Sequence, residues 1–184
     1  VSRTVVARWQ DWSGQGLEHL VLEERPDGIR AEAMVIGADD EVFAIRYRIL
    51  CDAGWRTRRL EVSLAGSDRT VDLSGDGAGR WTDRAGAPLP HLDGAIDVDI
   101  TATPFTNTLP IRRLALRSGQ AEDIAVVYVE VPALAVTRSR QRYTCLEPGR
   151  RYRFESLDSG FTREIEVDDH GLVRTYPDLF RRVS

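Results

Sequence analysis

Residues 43–49 read Phe-Ala-Ile-Arg-Tyr-Arg-Ile. Phe43, Ile45, Tyr47 and Ile49 take every second position, with Ala44, Arg46 and Arg48 between them. Successive side chains of a strand point to opposite faces, so this period of two predicts one apolar and one polar face. The same alternation runs through Leu60-Glu61-Val62-Ser63-Leu64 and Val98-Asp99-Ile100. Turn chemistry separates such runs at Pro26-Asp27-Gly28, Gly37-Ala38-Asp39-Asp40, Ala65-Gly66-Ser67-Asp68, Asp76-Gly77-Ala78-Gly79, Pro148-Gly149 and Asp169-His170-Gly171. Runs bounded in this way amount to about a dozen strands, which predicts an all-β sandwich, roll or barrel. Residues 106–117 and 177–182 are the two segments left for helix, and Pro104 and Pro110 weaken the first.

Within 184 residues the chain fits one β domain. Its halves carry a weak echo: Phe43-Ala44-Ile45-Arg46-Tyr47 against Ile124-Ala125-Val126-Val127-Tyr128, and residues 71–81 against residues 165–176. A duplicated β-motif accounts for that echo, with halves of about 1–96 and 115–184 joined by residues 97–114.

Composition removes several functions. All 25 basic side chains are arginine, they are interleaved with 29 acids, and the net charge is −4, so no basic footprint for nucleic acid stands out. No apolar run reaches the length of a membrane-spanning helix, and the first residues do not resemble a signal peptide, which points to the cytoplasm. Cys51 and Cys145 are far apart with no paired-cysteine spacing, and His19, His91 and His170 have no metal spacing, so no metal or other cofactor is expected. The two cysteines read as buried free thiols.

Residues 97–114, Asp-Val-Asp-Ile-Thr-Ala-Thr-Pro-Phe-Thr-Asn-Thr-Leu-Pro-Ile-Arg-Arg-Leu, hold most of the candidate chemistry. Asp97 and Asp99 share a face if this is a strand, and adjacent carboxyls push their pKa values apart, as paired-acid hydrolases require. Thr106, Asn107 and Thr108 lie between two prolines, either satisfying local backbone or forming a rigid polar lip for a sugar or head group. Arg112 and Arg113 could bind a carboxylate or phosphate in a cavity, or pair with the two aspartates and serve the fold alone. His19 is the best single titrating candidate. No serine elbow or glycine-rich phosphate loop is present.

These residues resemble a bacterial family named for glycolipid binding, formerly a domain of unknown function. The matching elements are Trp12 with Gly16-Leu17-Glu18-His19, Tyr47 with residues 51–58, Gly79-Arg80-Trp81, residues 97–99 with 103–114, Gln141-Arg142-Tyr143, and Gly171-Leu172-Val173 with Tyr176-Pro177. The resemblance implies an antiparallel spiral β-roll or barrel-like body, built by duplication around a cavity. It supplies no catalytic residues.

The first expectation is therefore a non-catalytic binding protein for a glycolipid or similar amphiphile. Phe43, Ile45, Tyr47, Ile124, Val126 and Tyr128 would face the cavity, and Asp97, Asp99, Thr106, Asn107, Thr108, Arg112, Arg113 and His19 would meet the ligand. The alternative is an enzyme for a small polar or sugar-like substrate, using Asp97, Asp99 and His19 as acid and base. A third reading gives the central string a structural role only.

Overall fold

A computed structural model of the protein describes residues 2–38 and 41–184. Among these, fourteen strands form one sheet. They are β1 (Arg3–Asp11), β2 (Leu17–Arg25), β3 (Gly28–Ala38), β4 (Val42–Cys51), β5 (Thr57–Leu64), β6 (Thr70–Gly75), β7 (Trp81–Asp83), β8 (Ala95–Ile100), β9 (Ala121–Glu130), β10 (Ala135–Glu147), β11 (Arg151–Ser156), β12 (Thr162–Val167), β13 (Val173–Tyr176) and β14 (Phe180–Arg182). The alternation read in residues 43–49 is borne out: in β4, Ile45, Tyr47 and Ile49 are buried and Arg46 is exposed. The turns expected from sequence fall between or at the ends of strands, except that Gly37 and Ala38 belong to β3 and Asp39 and Asp40 lie outside the described residues.

The spatial order is β7-β6-β5-β4-β3-β2-β1-β14-β13-β12-β11-β10-β9-β8. Both ends of the chain thus meet in the middle, where Trp9, Gln10 and Asp11 pair with Arg182, Arg181 and Phe180. The edge strands β7 and β8 do not pair, so the sheet is not closed. They nevertheless approach: Gly94 N donates to Gly79 O at 2.8 Å, and Trp81 Nε1 donates to Ala95 O at 2.7 Å. Gly79 has φ of +97°, and a Cβ there would lie 2.9 Å from Gly94 Cα, so a side chain fits neither the conformation nor the space.

One pairing departs from the antiparallel expectation, because β8 runs parallel to β9. A parallel neighbour requires a crossover of a dozen residues or more. Residues 101–120 supply it, and they turn back through the interior of the sheet. They include a short 3-10 turn (Phe105–Asn107) and helix α1 (Thr108–Leu114), with residues 102–111 all buried. Pro110 is tolerated because it stands in the first turn, where backbone N–H groups have no helical acceptor. The second expected helix is absent: residues 177–179 form a turn and residues 180–182 are β14.

The core has two parts. The larger packs β1–β9 around Phe105 and Leu109, with the Tyr47 and Phe105 rings stacked at 6.4 Å. The smaller packs β10–β13 around Ile111. Ile45, Tyr47 and Val126, expected to face a cavity, are fully buried in packing, and Ile124 packs against the smaller core. Both cysteines are buried and free, and burial pushes the Cys51 thiol up to about 12. The segments of the sequence echo fall on β4 and β6 in the first half and on β9 and β12 in the second. One strand, β5, lies between the first two, whereas β10 and β11 lie between the second two.

Four turns share one design. The carboxylates of Asp52, Asp76, Asp83 and Asp168 each accept backbone N–H groups two and four residues on, between 2.7 and 3.1 Å. The residue three positions on then adopts positive φ, and it is Gly79, Gly86 or Gly171 in three cases. In the fourth it is Trp55 at φ of +63°. Left-handed backbone costs a non-glycine residue about 1–3 kcal/mol. Packing offsets it here: the indole is buried beneath the Arg112 guanidinium, 4.6 Å from the ring centroid.

Gly37 is needed for a different reason. It faces Phe43 across β3 and β4, and a Cβ would lie 2.1 Å from the Phe43 ring. Gly37→Ala is expected to cost about 1–3 kcal/mol by displacing that ring. In a Phe43→Ala background the same change should be nearly neutral, so a urea double-mutant cycle tests the contact; additive costs would refute it.

Candidate functional site

The buried crossover is tied to the sheet by its polar side chains. Thr103 Oγ1 donates to Glu18 Oε1 at 2.8 Å and accepts Phe105 N–H at 3.0 Å. Thr106 Oγ1 donates to Asp99 Oδ1 at 3.1 Å. Asn107 Nδ2 donates to Pro104 O, while its Oδ1 accepts the Tyr143 hydroxyl at 2.9 Å. Thr108 Oγ1 donates to Gly171 O at 2.8 Å. The polar string is therefore largely an internal plug, from which Thr103 and Asn107 reach a cavity wall. Its composition suggests exposure, but almost every polar group finds a distant partner.

Arg112 and Arg113 follow on α1, not on a strand. Arg112 donates to His170 O and Glu24 and covers Trp55. Arg113 forks onto Asp97, with Nε to Oδ1 at 3.0 Å and Nη2 to Oδ2 at 2.6 Å. Asp97 is wholly buried; burial pushes its carboxyl up and Arg113 opposes that. Its two oxygens thus serve the fold.

Asp99 is different. Its carboxylate accepts Gln141 Nε2 at 2.6 Å and Thr106 Oγ1, but it forms no ion pair among the described residues. Burial raises its pKa, against those two hydrogen bonds. It lies in the wall of a cavity of about 670 Å³. The polar part of that wall is Asp99, Gln141, Asn107, Thr103, Thr137, Ser139 and Ser156; the apolar part is Tyr128, Phe154, Phe161, Tyr176 and Phe180. Burial raises the hydroxyls of Tyr128, Tyr143 and Tyr176, and the Asp99 charge raises all three further. Arg138 also lines the cavity, and Asp158 in its wall is paired with Arg140. An ionised carboxylate is an acceptor only, so a group meeting Asp99 in this wall would have to be a donor such as a hydroxyl.

A second cavity of about 360 Å³ adjoins the first, and both are lined by Thr101, Leu179 and Phe180. Trp9, Trp12, Leu17, Val35, Ile36 and Phe43 stand in its wall, together with Asp11, Ser13 and Asp178. Its buried polar group is Glu18, only 2% exposed. The Tyr47 hydroxyl and Thr103 Oγ1 both donate to Oε1, at 2.5 and 2.8 Å, and Oε2 has no partner. Burial pushes the Glu18 carboxyl up to about 7, despite those hydrogen bonds.

Of the residues singled out in sequence, Asp99 and Asn107 line the larger cavity; Asp97, Thr106, Thr108, Arg112 and Arg113 stand behind it or elsewhere. His19 is on the outer side of β2, accepting Arg8 Nε at 3.1 Å, in a shallow groove with Met34 and Arg46. Asp97, Asp99 and His19 therefore do not converge as an acid–base set. Glu18 was missed, although it occupies the inward register of Leu20 and Leu22, where a carboxyl is anomalous. Among the described residues no group of three His, Cys, Asp or Glu is placed to hold a metal. No helix among the described residues is long and apolar enough to cross a membrane.

An open all-β sheet wraps a buried crossover and leaves two adjoining cavities, both with polar and aromatic side chains in their walls. The family model described as "Putative glycolipid-binding" matches residues 6–182, and the chain belongs to that family. The chain is also similar to a solved crystal structure of a DUF1089 family protein from Pseudomonas aeruginosa, at 38% identity over 92% of each chain and a TM-score of 0.82. No curated protein matches it.

Proposed function

We propose that the protein binds a glycolipid-like amphiphile without catalysing a reaction, with the sugar in the larger cavity and the chain in the smaller. The observation that carries this reading is that two cavities adjoin across the ridge of Thr101, Leu179 and Phe180, the larger crowded with hydroxyl and amide side chains and the smaller holding Trp9, Trp12, Leu17 and Val35 beside Asp11 and Glu18. Asp99, Gln141 and Asn107 offer polar contacts to a polyol, and the rings of Tyr128, Phe154 and Tyr176 offer flat apolar faces to its C–H groups. The family name agrees with it. Burial of each chain methylene would contribute about 0.8 kcal/mol, against about 1.5–3 for one charge-assisted hydrogen bond. The chain would therefore supply most of the affinity and the polar wall the selectivity.

Asp99→Asn tests the division. Calorimetry should show binding of n-octyl glucoside weakened about tenfold, with n-octanol little affected. Equal losses for both ligands would refute the sugar assignment. Wild-type protein that co-purifies with no lipid and binds neither ligand would refute the reading as a whole.

A further inference from the structure

The larger cavity holds an unbalanced charge. Asp99, Tyr128 and Thr137 are neighbours across β8, β9 and β10, so they share a face, and all three line the cavity. Asp97, two residues earlier on that face, is fully buried and covered by Arg113. Asp99 is only half-buried and is bonded, among the described residues, by neutral donors alone, Gln141 Nε2 and Thr106 Oγ1. Asp158, in the same wall, is matched by Arg140. Arg138 does not balance Asp99. It alternates with Thr137 and Ser139, so its side chain leaves the opposite face of β10, where a Cβ on Gly94 would lie 3.7 Å from its Nη2.

The rest of the wall suits a cation. Phe154, Phe161, Tyr176 and Phe180 line the same cavity as one ring cluster, with neighbouring centroids 6.2–6.5 Å apart. Aromatic faces attract cations, and this cluster holds one from within the chain: the Arg163 guanidinium, paired with Asp178, lies 4.7 Å from the Phe161 centroid. The Asp99 charge raises the hydroxyls of Tyr128 and Tyr176, so carboxylate and rings lie within electrostatic reach of one another. A carboxylate in a partly dry wall without a counter-ion is costly, and a ligand cation would relieve that cost. It would also oppose the burial that raises the Asp99 pKa and so keep the carboxyl ionised. We propose that the larger cavity selects a head group with a cationic nitrogen, an ammonium that Asp99 pairs and the aromatic cluster flanks. The inference rests on the amphiphile reading above and specifies its head: an amino sugar or a quaternary ammonium, in preference to a neutral sugar. A phosphate or carboxylate head is disfavoured, because it would meet Asp99 with like charge.

The test compares n-octyl glucosaminide, an amine, with its neutral counterpart n-octyl glucoside by calorimetry at about pH 6.5, where such an amine carries its proton. The wild type should bind the amine about tenfold more tightly. Asp99→Asn, checked for folding by circular dichroism, should bind the two alike, so that the amine loses about a hundredfold where the glucoside loses about tenfold. The wild-type comparison needs no variant and stands even where the substitution disturbs the fold. A third probe, n-octyltrimethylammonium, separates the two sources of the nitrogen. Affinity equal to that of the amine supports a quaternary head; affinity about tenfold lower supports an amino sugar, whose N–H groups bond the carboxylate. Equal affinity of the wild type for amine and glucoside, or a preference that survives in Asp99→Asn, would overturn the cation site while leaving the amphiphile reading intact. Failure of the wild type to bind any of the three probes would overturn both.

Discussion

Arg113→Ala is expected to destabilise the protein by about 3–5 kcal/mol, a large share of the stability of a domain this size. Asp97 is wholly buried, and the Arg113 fork is its one ion-pair partner among the described residues. Removing the guanidinium strands a carboxylate in the core, which costs far more than the pair contributes in the intact protein. Arg113→Lys keeps the charge but offers a point donor where two parallel bonds are needed, so an intermediate loss is expected. Urea unfolding measures both. The double change Asp97→Leu with Arg113→Met should recover most of the loss, because it removes both charges together. A single-site loss below about 1 kcal/mol would mean that the pair is incidental to the fold.

Glu18 should make stability depend on pH in the opposite sense to an ordinary ion-paired acid. Its folded-state pKa of about 7 lies above the ordinary 4.5, so the folded protein holds this proton more tightly than the unfolded chain does. The stabilisation that results is fully present below about pH 4.5 and is lost as pH rises through about 7. The gap corresponds to about 3 kcal/mol. Glu18→Gln should be free of that loss. The stability difference between wild type and variant should then widen in favour of the variant from pH 5 to pH 8. Other titrating groups cancel in that difference, so a constant offset would show that Glu18 does not change protonation in this window.

The strands were legible because burial on one face leaves a period of two that local sequence displays, as in residues 43–49 and 60–64. The turns were legible because aspartate and glycine are required by backbone chemistry at fixed offsets, as in residues 76–79. The crossover was not. Asn107 and Thr108 read as a locally satisfied turn or a ligand lip, because Tyr143 and Gly171, which they bond, lie 36 and 63 positions away, as Glu18 lies 85 from Thr103. Parallel pairing of β8 with β9 leaves no local mark either, because it depends on where residues 101–120 travel. In the candidate site, Asp99 was accessible from its strand pattern. Glu18 was masked by the more conspicuous His19 beside it, although the Glu18-Leu20-Leu22 register pointed inward.

The pairing of β1 with β14 has a consequence for the life of the folded chain. It joins two runs of strands, each continuous in sequence, through three residue pairs between the ends of the chain. Contacts of such separation form late and hold little surface of their own. Yet Phe180, at that join, lines both cavities, and Trp9, Asp11 and Trp12 line the smaller from the other side of it. On the proposed reading, an occupant therefore bridges the two runs, adding its binding free energy to their cohesion. Ligand affinity and resistance to separation of the two runs would then rise and fall together.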